Sequence, residues 1–124
     1  MISIQKSSQS KINSVSFDNL VFGKTFTDHM FICHYKEGKW QTPMIKPYEP
    51  LTLDPSASVL HYGQAVFEGM KAFKDDHNKI WLFRPDENFR RINISSHRMQ
   101  IPEFPENYFF EGLKQLLKLD HEWI

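Results

Sequence analysis

The chain has 124 residues, a formal net charge of zero and a composition that is 40% hydrophobic and 15% aromatic, which describes about one globular domain and excludes a disordered chain. Its basic residues are scattered instead of gathered into a stripe, which argues against nucleic acid or an anionic membrane as partner and leaves room only for a local anion site. The single cysteine, Cys33, excludes an internal disulfide and a cysteine-based metal framework, and it fits a reducing compartment.

The first residues, MISIQKSSQSKINSVSF, hold no apolar core of signal-peptide length and nothing near the roughly 18 apolar residues of a membrane span. A soluble, cytoplasmic chain is expected. Residues 1–14 are rich in Ser and Lys and read as a flexible arm, with order beginning near Val15. His29 to Tyr35 is dense in strand formers, and Lys36-Glu37-Gly38-Lys39 supplies a turn before Trp40, which reads as a hairpin. Pro43, Pro47, Pro50 and Pro55 break the next stretch, leaving Met44–Ile45 and Leu51–Leu53 as edge or short paired strands.

Asp54-Pro55 signals a helix start, so a short helix is expected through Ser58 toward His61, stopped by Gly63. Val66 to Lys74 reads as a strand with Val66, Met70 and Ala72 on one face and Phe67, Gly69 and Phe73 on the other. Glu68 and Lys71 interrupt these faces, and a charge in a buried strand needs a partner. Asp75 to Asn78 is a turn, after which Lys79 to Phe83 returns as the second arm of a hairpin.

Pro85 opens a helix with Asp86 and Glu87 in its first turn and a stripe of Phe89, Ile92, Ser96 and Met99. Pro102 ends it. Pro105 and Glu106 open another, with Phe109, Leu113, Leu116 and Leu117 as its apolar face. The ending His121-Glu122-Trp123-Ile124 is apolar where a domain usually closes in something solvated, so the chain reads as cut there.

Two groups of residues suggest chemistry. Arg90 and Arg91 lie within about two turns of a helix start, where guanidinium donors and the helix dipole both favour a phosphate. The bland alternative is a solvated charged face. Tyr62, between the short helix and Gly63, is placed to form a pocket wall or to fill a core or interface, and Phe22 and Phe67 taken alone read as core residues. The six histidines contain no H-E-x-x-H pattern, and no metal site is expected. No G-x-S-x-G, P-loop or G-x-G-x-x-G occurs, and no catalytic nucleophile or base stands out.

The segments FGKTFTDHM (Phe22 to Met30), LHYGQAVFEGMKAF (Leu60 to Phe73), LFRPDENFRRIN (Leu82 to Asn93) and the ending LLKLDHEWI resemble the N-terminal portion of a branched-chain amino acid aminotransferase. The family is pyridoxal 5'-phosphate dependent and of fold type IV. The resemblance implies an α/β fold for residues 15–124, the smaller N-terminal domain, with a mostly antiparallel sheet and flanking helices. It implies that Arg91 holds the cofactor phosphate and that Phe22, Tyr62 and Phe67 belong to the substrate side-chain pocket, Tyr62 reaching into a neighbouring subunit of a homodimer. It also implies that the parent protein transfers the amino group of Leu, Ile or Val to 2-oxoglutarate.

The lysine that forms the Schiff base with the cofactor, and the glutamate that pairs with the pyridinium nitrogen, come in that family from later sequence. None of the lysines between Lys6 and Lys118 lies in a matching motif. The 124 residues are therefore expected to contribute no catalytic residue, to be inactive alone and to bind pyridoxal 5'-phosphate weakly at best. The rival reading is a non-catalytic small-molecule or protein binding module.

Overall fold

Residues 1–124 are described by a computed structural model, in which the elements run β1 (Ser3–Ile4), β2 (His29–Ile32), β3 (Tyr35–Lys36), β4 (Lys39–Trp40), β5 (Met44–Pro47), α1 (Ser58–Tyr62), β6 (Ala72–Lys74), β7 (Ile80–Leu82), α2 (Pro85–Arg98) and α3 (Glu106–Leu119). This is a small α/β protein with mostly antiparallel pairing. No helix is long and apolar enough to cross a membrane. The chain divides into two units, Met1–Glu49 with Asn107–Ile124, and Pro50–Glu106.

The first unit is built around β5. Its prolines lead one to expect an edge strand, yet β5 is the central strand of a three-stranded sheet, antiparallel to β2 and parallel to β1. The reason is positional. Pro43 precedes the strand and Pro47 closes it opposite His29, so the N–H groups of Met44, Ile45 and Lys46 remain available to the ladder. The carbonyls of Pro43 and Ile45 accept from Ser3 and Gln5 at 3.0 and 2.8 Å, and Ile45 is fully buried. Leu51–Leu53 forms no strand.

The expected hairpin is confined to β3 and β4, whose connecting Glu37 and Gly38 both have positive φ, 52° and 75°. That backbone matches the right-handed strand twist. The strand-rich segment before it, β2, pairs with β5 instead.

The first fourteen residues, read from sequence as a flexible arm, carry β1 and a 3-10 turn and are tied to buried polar groups. Asp28 accepts from Ser10 Oγ at 2.5 Å, from the Lys11 amide at 2.8 Å and from Trp123 Nε1 at 3.0 Å. Burial works to raise the Asp28 pKa, and these donors outweigh it and hold it below the usual carboxylate value. His29 Nε2 accepts from the Ser7 amide at 2.8 Å, while Nδ1 sits 2.5 Å from Asp120. In α3 the expected apolar residues Phe109, Leu113, Leu116 and Leu117 are half-buried, and Gly112 is buried against Phe31 of β2.

In the second unit α1 is as short as Gly63 requires: that glycine takes the left-handed conformation, φ 61°, at the helix C-cap. Asp54 does not cap this helix. Its carboxylate closes a turn onto Ser56, and the helix begins four residues later, at Ser58.

The strand expected over Val66 to Lys74 is paired only at Ala72–Lys74, where it forms a hairpin with β7 in the register Ala72 to Leu82, Phe73 to Trp81 and Lys74 to Ile80. Asp75 organises the turn by accepting from the amides of His77 and Lys79, both at 2.9 Å, and from Trp81 Nε1 at 2.7 Å. α2 starts at Pro85 and buries Ser96. Phe89 and Ile92 are half-buried, and Met99 ends the stripe at the surface.

Candidate functional site

The stretch from Gln64 to Gly69 lies along α2 without being part of a sheet. Gln64 Nε2 donates to the Met99 carbonyl at 2.9 Å, Arg91 reaches Glu68, and Asn88 Nδ2 donates to the Gly69 carbonyl at 3.1 Å. These contacts run antiparallel. The three ties run from the Met99 C-cap back to Asn88, so the segment follows α2 from its end toward its start.

Extended backbone alternates its side chains. Gln64, Val66, Glu68 and Met70 are at least half-buried, and Ala65, Phe67, Gly69 and Lys71 face outward. Both faces of this stretch were expected to be apolar and buried, but only one is covered. Gly69 and the absence of a partner strand leave the other open.

Glu68 occupies the covered face. Its side chain is 8% exposed, and it takes two N–H groups of Arg91, Nε at 2.7 Å to Oε2 and Nη2 to Oε1 in a short contact. Asn88 Nδ2 at 3.1 Å and the Gly69 amide at 2.9 Å complete its shell. The Arg91 guanidinium beside it is chiefly what holds the Glu68 carboxyl down at about 2, against the opposing effect of burial. Arg91 is raised in turn by Glu68.

The Arg91 side chain is itself 67% exposed, and its Nη1 makes no hydrogen bond within the chain. The neighbouring Arg84 and Arg90 share Glu87, at 3.2 and 2.7 Å, in exposed pairs of small energetic weight. The partner that Glu68 required was legible in the sequence. Its identity was not, because Arg91 lies 23 positions away.

The structure brings Arg91 and the segment carrying Phe67 together through Glu68, one residue on from Phe67. Tyr62 ends α1 two residues before Gln64, the other tie to α2. Tyr62 is 85% and Phe67 93% exposed. Side chains so open form at most one wall of a pocket. Phe22 belongs to the first unit, where it stands at the rim of an open recess of about 520 Å³ bounded by Phe17, Leu20, Phe26 and Trp123.

The buried His29–Asp120 pair has the look of an acid–base dyad and is not one. Because Nε2 accepts the Ser7 N–H, Nδ1 carries the ring proton and donates a hydrogen bond to Asp120, leaving no lone pair for a substrate.

A pyridoxal 5'-phosphate group needs a phosphate anchor, a partner for its ring nitrogen and a lysine. The contacts around Arg91 bear on the first of these. Arg91, fixed on one side and open on the other, has the donor geometry for a phosphate.

No protein-family model matches the chain. Among curated relatives it is 52% identical over 107 residues to branched-chain-amino-acid transaminase 1 of Bacillus subtilis (strain 168), with 86% of this chain and 30% of that protein covered. It is 49% identical over 108 residues to branched-chain-amino-acid aminotransferase 2 of the same organism, with the same coverage. It is 48% identical over 105 residues to the branched-chain-amino-acid aminotransferase of Mycolicibacterium smegmatis, with 83% of this chain and 28% of that protein covered. The chain thus spans about 30% of the length of the curated relatives it matches, and over most of its own length it is homologous to the N-terminal part of branched-chain amino acid aminotransferases.

Proposed function

We propose that these residues are the small N-terminal domain, with residues 15–124 as its body, of a cytoplasmic, homodimeric branched-chain amino acid transaminase that moves the amino group of Leu, Ile or Val to 2-oxoglutarate. The observation that carries this reading is identity of about half with several such enzymes over 86% of the chain. The geometry supports it, since Arg91 is held on α2 with one side of its guanidinium open, as a phosphate anchor requires.

Pyridoxal 5'-phosphate would supply the electron sink that lets an amino acid lose its alpha proton. The part of this chain is to bind and select. Arg91 takes the phosphate. Phe22, in the first unit, and Tyr62 and Phe67, in the second, are the aromatic residues that favour branched aliphatic side chains over polar ones. One methylene in such a pocket is worth about 1 to 3 kcal/mol, so discrimination among the three substrates is modest.

Moving a proton between the substrate carbon and the cofactor needs a positioned base, and no lysine here stands in a site that offers one. The 124 residues alone are accordingly inactive. Incubating the purified chain with leucine, 2-oxoglutarate and pyridoxal 5'-phosphate should give no glutamate above the protein-free control, and measurable enzymatic transamination would overturn the claim that the 124 residues are inactive alone. A binding module, the rival reading, has no specific observation in its favour.

A further inference from the structure

We propose that Glu68 is the positioning residue of the phosphate anchor: it fixes the Arg91 guanidinium from α2's inner side so that Nη1 is presented outward to the cofactor phosphate. This rests on the assignment of Arg91 as that anchor.

Three features carry the inference. Glu68 is itself fixed before it holds anything, since Asn88 Nδ2 and the Gly69 amide bind the same carboxylate and Asn88 also holds the Gly69 carbonyl. Asn88 and Arg91 are three residues apart on α2, so both face the extended segment. A two-point contact through Nε and Nη2 sets the plane of the guanidinium as well as its position, which one contact would not do.

The burial is asymmetric in the direction required. Glu68 is 8% exposed and Arg91 67%, so the inner half of the pair is enclosed and the outer half faces solvent. The same short segment turns Phe67 to the opposite side from Glu68.

Charge alone would not select this arrangement, because a carboxylate behind Arg91 repels an incoming phosphate. The gain is geometric, and a variant that keeps the charge separates the two effects. Glu68→Asp retains the carboxylate but withdraws it by one methylene from the two-point contact.

The test titrates pyridoxamine 5'-phosphate and, separately, pyridoxamine into the 15N-labelled 124-residue chain, following the Arg91 Nε–H resonance. The wild-type chain should prefer the phosphorylated ligand, and Arg91→Met should abolish the preference. Residues that orient a metal ligand are worth roughly 10- to 100-fold in affinity, and a residue that orients a phosphate ligand is taken at the lower end of that range. Glu68→Asp should therefore reduce the preference about tenfold, leave binding of pyridoxamine itself unchanged and sharpen the loss of protection at Arg91 Nε–H. A simple tie between this segment and α2 would alter stability without moving the phosphate preference.

Wild-type preference in Glu68→Asp, alongside its loss in Arg91→Met, would overturn the positioning role. No preference in the wild-type chain, or an unchanged one in Arg91→Met, would overturn the anchor assignment itself. Should Glu68→Asp not fold, Asn88→Ala carries the same test by freeing the carboxylate, with a reduced preference expected and an unchanged one counting against the proposal.

Discussion

A carboxylate that accepts from Arg91 twice, from Asn88 and from the Gly69 amide resists protonation, and Glu68 is held at about 2 against an ordinary 4.5. Its folded-state pKa lies below the unfolded one, so its contribution to stability is fully present above about 4.5 and is lost as pH falls toward 2. Asp28, Asp75 and Glu87 are lowered as well, so the wild-type slope alone does not isolate Glu68. The difference between wild type and Glu68→Gln does. Urea denaturation between pH 2 and pH 6 should show the wild-type advantage over Glu68→Gln shrinking across that window, and two parallel curves would show that the ion pair adds nothing to folding.

At the scale of elements, α3 and β2 meet through a glycine. A Cβ built on Gly112 would lie 2.7 Å from Phe31 Cδ2, too close for any ordinary contact. Alanine in mid-helix is worth about 1 kcal/mol over glycine, and overpacking a fitted contact costs about 1 to 3 kcal/mol. The clash wins. Gly112→Ala should lower the stability of the chain by about 1 kcal/mol in urea denaturation, and a gain in stability would show that the Phe31 ring moves aside freely.

Much of the element pattern was legible because its signals are local. Pro85 with Asp86 and Glu87 announces α2, Gly63 stops α1, and Lys36 to Lys39 spells a tight turn. What was not legible depends on partners distant in the chain. Nothing near Pro43 says that β1 will pair with β5 and make it central, and nothing near Met70 says that residues 66–71 will lie on a helix instead of in a sheet. The candidate site divides in the same way. Arg91 could be named from motif resemblance, whereas its tie to Glu68 follows only from the antiparallel run of residues 64–69 along α2.

The whole molecule leaves an unusual share of large apolar side chains in water. In the second unit several of them belong to the hairpin and the segment before it. Trp81 stands opposite Phe73 across the ladder, Phe83 follows at 79% exposed, and Phe67, in the segment before the hairpin, is 93% exposed. Lys79 covers one face of Trp81, its ammonium 4.2 Å from the ring centroid, and the other rings have no such cover among these contacts.

Aromatic side chains carry about 150 to 250 Å² each, so these few approach or exceed the roughly 300 to 600 Å² of the largest patch on an ordinary monomer. A two-stranded hairpin is also marginal by itself and presents unpaired backbone at its edges. Sedimentation velocity at rising concentration should therefore show reversible self-association of the 124-residue chain, and Phe67→Ser combined with Phe83→Ser should shift it toward monomer without changing the far-ultraviolet dichroism. A single monomeric species at every concentration, binding no apolar dye, would mean that these exposed rings need no cover.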